Sequence, residues 1–302
     1  MSEPLVSVTV CMYNSSKTVL ETLESIRLQT YKNIELIISD DGSSDDCVQK
    51  CEKWLEKNKP FFQRVNIITH SPNTGTSANM NRAISSSYGE WIKGIAADDK
   101  LLPNCISDFI DFINNHKESG IVFSRVVVFG NKEASIKWPW ANVKKYFDIF
   151  NDKQLRIILS TENFLPAASV FINKTVWEAS GGYDESIPLI DDWPLWIRAL
   201  SSGAKLRFMD KESVAYRFSE ESISLGIKPM SERYKENVRM ACLNAERSLK
   251  DINLLYHYLY LTRRLLRTRW NLKQVVRILN IWNPAYYEYE KTISRFNMLR
   301  NE

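Results

Sequence analysis

Tyr88-Gly89-Glu90-Trp91-Ile92-Lys93-Gly94-Ile95-Ala96-Ala97-Asp98-Asp99-Lys100 is the stretch on which the fold turns. Trp91, Ile92, Ile95, Ala96 and Ala97 make a mostly apolar run of strand length, and two carboxylates follow at once. Leu101-Leu102-Pro103-Asn104 then leads toward a helix. A buried strand ending in Asp98 and Asp99 sets negative charge at the carboxyl edge of a sheet, where open α/β folds bind ligands. Adjacent anions repel, so a cation or hydrogen-bond donors belong with them. The competing reading makes one of them the cap of the following helix.

The stretch before it repeats the same unit. Val6–Met12 is apolar and β-branched and closes at Tyr13-Asn14, and a helical pattern follows through Val19, Leu20, Leu23, Ile26 and Leu28. Ile34–Ile38 runs into Asp40-Asp41-Gly42-Ser43, ahead of a helix over Cys47–Leu55. Val65–Ile68 ends at Ser71-Pro72-Asn73-Thr74-Gly75, ahead of a helix over Thr76–Ser86. Four strand–turn–helix units in succession predict parallel strands with right-handed crossovers. Continuous apolar strands mean that both sheet faces are covered. In such a sheet Tyr13-Asn14, Asp40-Asp41, Asn73 and Asp98-Asp99 all line one edge, a single cleft of acid and amide groups.

Beyond it the pattern is less regular. Ile121–Phe129, Val170–Ile172 and Lys205–Val214 read as strands, Gly181-Gly182-Tyr183 as a turn, and Asp191-Asp192-Trp193-Pro194 as the opening of a helix. From about Ser231 the spacing is helical up to Pro284. The 302 residues, 44% hydrophobic and 25% charged, suit a globular chain. A net charge of +4 is too small to argue for nucleic acid. Five cysteines without a CxxC doublet, no signal peptide and no apolar run of spanning length lead to the expectation of a cytoplasmic protein.

Several phosphate-handling designs are absent. There is no GxxxxGK[ST], no GxGxxG after the first strand and no GxSxG elbow. A cleft rich in carboxylates would take a diphosphate only through a divalent metal, as Mg2+ or Mn2+ is commonly held by one or two carboxylates and phosphate oxygens. Asp41 is suited to accept the imide N–H of a uracil ring, and Tyr13 to stack on it.

The motif series Val6-Ser7-Val8, Tyr13-Asn14, Asp40-Asp41-Gly42-Ser43-Ser44-Asp45, Asn73-Thr74-Gly75, Asn81, Gly89-Glu90-Trp91-Ile92 and Ala97-Asp98-Asp99 occurs in one order. Gly181-Gly182-Tyr183, Asp191-Asp192-Trp193-Pro194-Leu195-Trp196-Ile197-Arg198 and Tyr216-Arg217 complete it. Over roughly residues 4–225 the chain resembles the family 2 glycosyltransferases of the GT-A fold, inverting sugar-nucleotide enzymes of polysaccharide and O-antigen assembly. The resemblance implies an α/β, Rossmann-like, mostly parallel sheet flanked by helices. It divides the chain into a catalytic domain over 1–225, with a nucleotide-binding half (1–100) and an acceptor-binding half (101–225), and a helical extension over 226–302.

It also implies roles. Cys11, Tyr13, Asp41, Asn73 and Asp98 fall on the nucleotide side, with Asp99 as ligand of Mn2+ or Mg2+. Asp192, with Asp191 as its neighbour, matches the position of the base that deprotonates the acceptor hydroxyl. The plainer reading of Asp192 is as the N-cap of a helix over Trp193–Leu200. Two departures stand out: Ala96 and Ser219 occupy positions where many members have Asp and His. The expected partners are a nucleotide sugar, UDP-linked, and a glycan or polyprenyl-diphosphate-linked acceptor. Arg263, Arg264, Arg267, Arg269, Lys273 and Arg277 interleave with apolar residues. That pattern suits peripheral contact with an anionic membrane or a helix packed on the core. A non-catalytic nucleotide-sugar-binding protein of the same fold is the alternative reading.

Overall fold

The structure, a computed structural model, describes residues 3–130, 142–160, 162–189, 192–218, 232–247 and 284–301. Asp191, Ser219 and the basic stretch Arg263–Arg277 lie outside them.

β1 (Val6–Met12), β2 (Ile34–Asp40), β3 (Arg64–Thr69) and β4 (Trp91–Ala96) form the parallel half of an eight-stranded sheet of order β3-β2-β1-β4-β7-β6-β8-β5. β7 (Phe171–Asn173) runs antiparallel to both β4 and β6 (Ile121–Gly130). β8 (Leu206–Phe218) is parallel to β6, and β5 (Lys100–Leu101) pairs antiparallel with its far end. The sheet is thus mixed but mostly parallel. β5 is too short to carry a strand period, and so the sequence reads it only as part of a turn.

Alternation along β1 separates the two layers. Val6, Val8, Val10 and Met12 pack with Val19, Leu23 and Ile26 of α1 (Val19–Arg27), Cys47, Cys51 and Leu55 of α2 (Cys47–Asn58), and Phe109 of α4 (Cys105–Asn115). Such β-branched strands lose little rotamer freedom on a pleated surface. On the other face lie α3 (Thr76–Ser85), α5 (Val143–Ile149), α6 (Asp152–Leu159), α7 (Lys174–Ala179) and α8 (Asp192–Ser201), around Phe123, Leu159, Trp193 and Trp196.

α9 (Glu232–Arg247) and α10 (Pro284–Asn301) join that second layer. Phe296 of α10 lies 4.9 Å from the Tyr146 ring and 6.1 Å from the Phe164 ring, and Arg300 pairs with Glu162 at 2.5 Å. Asn237 of α9 accepts the Leu189 N–H at 3.0 Å. The described C-terminal helices therefore pack on the body of the protein. Among the described residues no helix is long and apolar enough to cross a membrane.

Register sets the level of the site. Met12 lies opposite Asp40, Cys11 opposite Ala96, and Asp40 opposite Thr69. Tyr13, Asp41 and Asp98 therefore leave the sheet along one edge. Because β7 is antiparallel to β4, the chain entering β7 arrives at that same edge. So does the end of β8, parallel to β6.

Candidate active site

The carboxylate pair follows β4 but caps nothing. α4 begins only at Cys105, with Asn104 at its cap position. This removes the capping alternative for Asp98 and Asp99. Asp99 is 2% exposed, and one of its oxygens, Oδ1, accepts the Arg217 backbone N–H at 2.7 Å. Its carbonyl takes the Thr22 hydroxyl at 2.7 Å. Asp98 is the more open of the two, and its carbonyl accepts Arg217 Nε at 2.8 Å. The Arg217 guanidinium reaches on to Glu21 at 2.9 Å and lies over the Phe129 ring. The end of β8 thus closes over the pair from one side.

Whether these residues fit a divalent cation can be judged from their charge. Burial raises the pKa of Asp98, and burial together with the neighbouring Asp98 raises Asp99 to about 7. Two crowded carboxylates with so little compensating charge are what a hard dication relieves. Among the described residues no group of three His, Cys, Asp or Glu could hold a metal alone. The remaining ligands would be phosphate and water oxygens, the usual arrangement for Mg2+ and one open to Mn2+. The residues fit.

Asp41 differs from expectation. A carboxylate reading a uracil imide must reach the cleft, but Asp41 is 2% exposed. Its Oδ2 accepts the N–H groups of Thr74 (2.9 Å) and Gly75 (2.8 Å), and its Oδ1 accepts the Thr74 hydroxyl (2.7 Å) and the Arg82 guanidinium. Burial pushes its pKa up, but these donors outweigh burial and hold it below the usual carboxylate value. Asp41 is therefore the post on which the third-strand turn is built. Asp40, beside it, turns back on its own loop and accepts the N–H groups of Gly42 and Ser43.

The turn itself needs glycine. Gly75 sits at φ +93°, and a Cβ there would come within 2.8 Å of the Pro188 Cβ. That close approach brings the segment before α8 against the nucleotide-side turn, and the Ser77 hydroxyl adds a bond to the Ile187 carbonyl at 3.2 Å. Asn73 is exposed on the same turn, and Tyr13 is 52% exposed at the end of β1. Cys11, half-buried, contacts the Met80 sulfur of α3.

Asp192 opens α8. Its Oδ2 accepts Asn163 Nδ2 at 2.8 Å and Trp196 Nε1 at 3.3 Å. Burial raises its pKa, opposed by Asn163 and by the Trp193 backbone N–H. Of the two side-chain donors, Asn163 comes from outside the helix and Trp196 from within it.

Four polar residues were not anticipated as site residues. Asn79 accepts the Ser39 hydroxyl (2.6 Å) and donates to the Ser39 carbonyl (3.1 Å), joining α3 to the end of β2. Arg82 completes the Asp41 cluster, and Asn163 reaches Asp192. Arg198 on α8 donates to the carbonyls of Ser180 (2.8 Å) and Gly182, holding the Gly-Gly turn. Asn79 and Arg82 fall three apart in the helix after the Asn73-Thr74-Gly75 turn, the one signal in the sequence for them; Asn163 gave none.

A mixed sheet with polar groups gathered at one edge is an α/β ligand-binding architecture. The chain matches Glycosyl transferase family 2 over residues 7–172, more than half its length, and belongs to that family. It is 27% identical over 256 residues to the Escherichia coli UDP-Glc:alpha-D-GlcNAc-diphosphoundecaprenol beta-1,3-glucosyltransferase WfaP, covering 84% of this chain and 89% of that one. S. aureus TarS, solved over its residues 1–349 with UDP-GlcNAc, superposes with a TM-score of 0.62 at 17% identity, covering 98% of this chain and 90% of that one. The Pyrobaculum calidifontis mannosyltransferase PcManGT, solved with GDP-Man and Mn2+, gives 0.54 at 14% identity, covering 98% and 87%. The protein is a glycosyltransferase with the GT-A fold.

Proposed function

We propose that the protein is an inverting, metal-dependent transferase that moves a sugar from a UDP-sugar to a hydroxyl of a lipid-linked glycan. The observation that carries this reading is the crowded acidic pair at the end of β4, with a second carboxylate, Asp192, opening α8. Asp98 and Asp99 are crowded and short of positive charge, whereas the side-chain donors to the Asp192 carboxylate among the described residues, Asn163 and Trp196, are neutral. A divalent ion, Mn2+ or Mg2+, held by Asp99 with Asp98 beside it would supply charge neutralisation to the departing diphosphate.

Asp192 acts as general base. Burial raises its pKa and so strengthens its basicity, while the Asn163 and Trp196 donors favour the ionised form, a combination that suits proton removal from the acceptor hydroxyl. Attack on the face opposite the leaving group inverts the anomeric centre. Tyr13 is free to stack on the base, Cys11 and Asn73 border the nucleoside, and Asp41 fixes the Thr74–Gly75 turn and Arg82 as the base-facing wall. Asp191 is the supporting neighbour of Asp192.

The name of WfaP specifies a diphosphoundecaprenol-linked acceptor, which supports a lipid-linked acceptor and a place in surface-polysaccharide assembly for this chain. Work on such an acceptor would occur at the inner membrane face, with the basic stretch Arg263–Arg277 as peripheral contact. The test is a thermal-shift panel of UDP, UDP-sugars and GDP-mannose with and without Mn2+, since a ligand specific to the native state raises its melting point. UDP-sugars should stabilise the protein, and more strongly with Mn2+. Stabilisation by GDP-mannose alone would overturn the donor assignment.

A further inference from the structure

Asp192 is held through residues 162–170, whose one regular element is the short 3-10 turn Ala167–Ser169. That segment is fixed along its length. Ahead of it, at the end of α6, the Leu159 carbonyl accepts Trp193 Nε1 at 2.6 Å. In its middle the Phe164 ring is wedged against Tyr146 (5.3 Å) and Phe296 (6.1 Å). At its end the buried Lys93 ammonium donates to the Ala168 carbonyl at 2.7 Å, and Ser169 accepts the Ser124 N–H at 3.1 Å.

Asn163 lies between these anchors, and its amide has one workable orientation. Its Oδ1 accepts the Leu165 N–H at 3.2 Å, which leaves Nδ2 to donate to Asp192 Oδ2 at 2.8 Å. The flipped amide would set an oxygen against the carboxylate and an NH2 group against an N–H. Trp196 Nε1 approaches the same Oδ2, so both side-chain donors converge on one oxygen and turn Oδ1 away from them.

Building on the base reading above, we infer that Asn163 is the positioning residue of the transfer reaction: it orients the Asp192 carboxylate toward the acceptor hydroxyl. Because the Phe164 ring packs on Phe296, α10 is part of this support. The charged groups nearest along the chain do not compete for the bond. Glu162 pairs with Arg300, and Arg198 is turned to the carbonyls of Ser180 and Gly182. Asp191 precedes Asp192 in sequence.

The test uses the full chain and two readouts. First, the 13C-carboxyl signal of Asp192, assigned by its loss in Asp192→Asn, is titrated in wild type and in Asn163→Ala. Losing a donor to the ionised form should move the Asp192 pKa upward by about one unit. Second, transfer from UDP-hexoses to a GlcNAc-diphosphate-lipid is followed by UDP release. Asn163→Ala should lower kcat roughly tenfold to hundredfold at pH 7, the scale for a lost hydrogen bond to a charged group, with donor KM unchanged. The loss should shrink as pH rises. Asn163→Asp, which sets a like charge against the base, should be slower still. In an Asp192→Asn background, Asn163→Ala should have no further effect.

An unshifted Asp192 titration in Asn163→Ala overturns the inference whether or not the acceptor is accepted. So does a wild-type kcat in that variant when Asp192→Asn is inactive. Full transfer by Asp192→Asn would instead overturn the base reading on which this rests. If Asn163→Ala fails to fold, Asn163→Ser keeps an acceptor for Leu165 but is too short to reach Asp192, and takes its place in both measurements.

Discussion

Lys93 is 0% exposed in the middle of β4, and its stability effect can be worked out in advance. Its ammonium donates to the Gly94 carbonyl at 2.6 Å and the Ala168 carbonyl at 2.7 Å, with no carboxylate in contact among the described residues. Burial pushes its pKa down from 10.5 to about 8, against the opposing pull of Cys105 and Asp99. Below pH 8 the side chain is charged in both folded and unfolded states, and the fold bears the full desolvation cost. Between pH 8 and 10.5 the unfolded chain binds more protons than the folded one, so stability from this group rises with pH.

At 1.36 kcal/mol per pH unit the penalty is about 3 kcal/mol at pH 7 and about 2 kcal/mol at pH 9. Lys93→Met keeps the length and removes the charge. It also orphans two carbonyls, a cost that does not depend on pH. The stability of Lys93→Met relative to wild type should therefore fall by about 1 kcal/mol between pH 7 and 9. Urea unfolding of both proteins at those two pH values measures it. Titration of Tyr31 and Cys51, both raised by burial to about 12, occurs in both proteins and cancels in the difference. A stability difference that does not change with pH would show that Lys93 keeps its proton in the fold through pH 9, as a rehydrated ammonium would, and would refute the reasoning.

Other perturbations test the cleft. Asp99→Asn should abolish the Mn2+-stimulated part of UDP binding in calorimetry; equal stimulation in the variant would move the metal elsewhere. Arg217→Ala removes the bonds to the Asp98 carbonyl and Glu21 but keeps the backbone N–H on Asp99, so Mn2+–UDP affinity should weaken by about tenfold, the scale of one charged hydrogen bond. Unchanged affinity would make that arm of Arg217 structural only. Asp41→Ala orphans Thr74, Gly75 and Arg82, and should both weaken UDP binding and lower the melting temperature by several degrees; a loss of binding without a change in melting would mean that the turn does not depend on it. Phe296→Ala should destabilise by about 3–5 kcal/mol, as a fully buried aromatic does, and a near-neutral value would detach α10 from the core.

What could be read from the sequence was whatever is decided locally. Val6–Met12 is β1 to the residue, and the edge at Tyr13, Asp41 and Asp98 follows from strand length and turn chemistry. The two neighbouring acids of β2 show where such reading stops. Asp40 finds its partners two and three residues on, in Gly42 and Ser43, inside its own turn. Asp41 finds its partners thirty-three, thirty-four and forty-one residues away, in Thr74, Gly75 and Arg82. Nothing in the local sequence distinguishes the two. Lys93 looks like a solvent-facing break in an apolar run until a carbonyl seventy-five residues later is brought to its ammonium. Asn163 lies in a segment without period or motif, and gains a role only because β7 runs antiparallel to β4 and returns the chain to the cleft. The carboxylates of this site are thus visible as charge in the sequence, whereas the donors that decide which of them stays ionised, which is pushed up and which one holds a loop come from the topology.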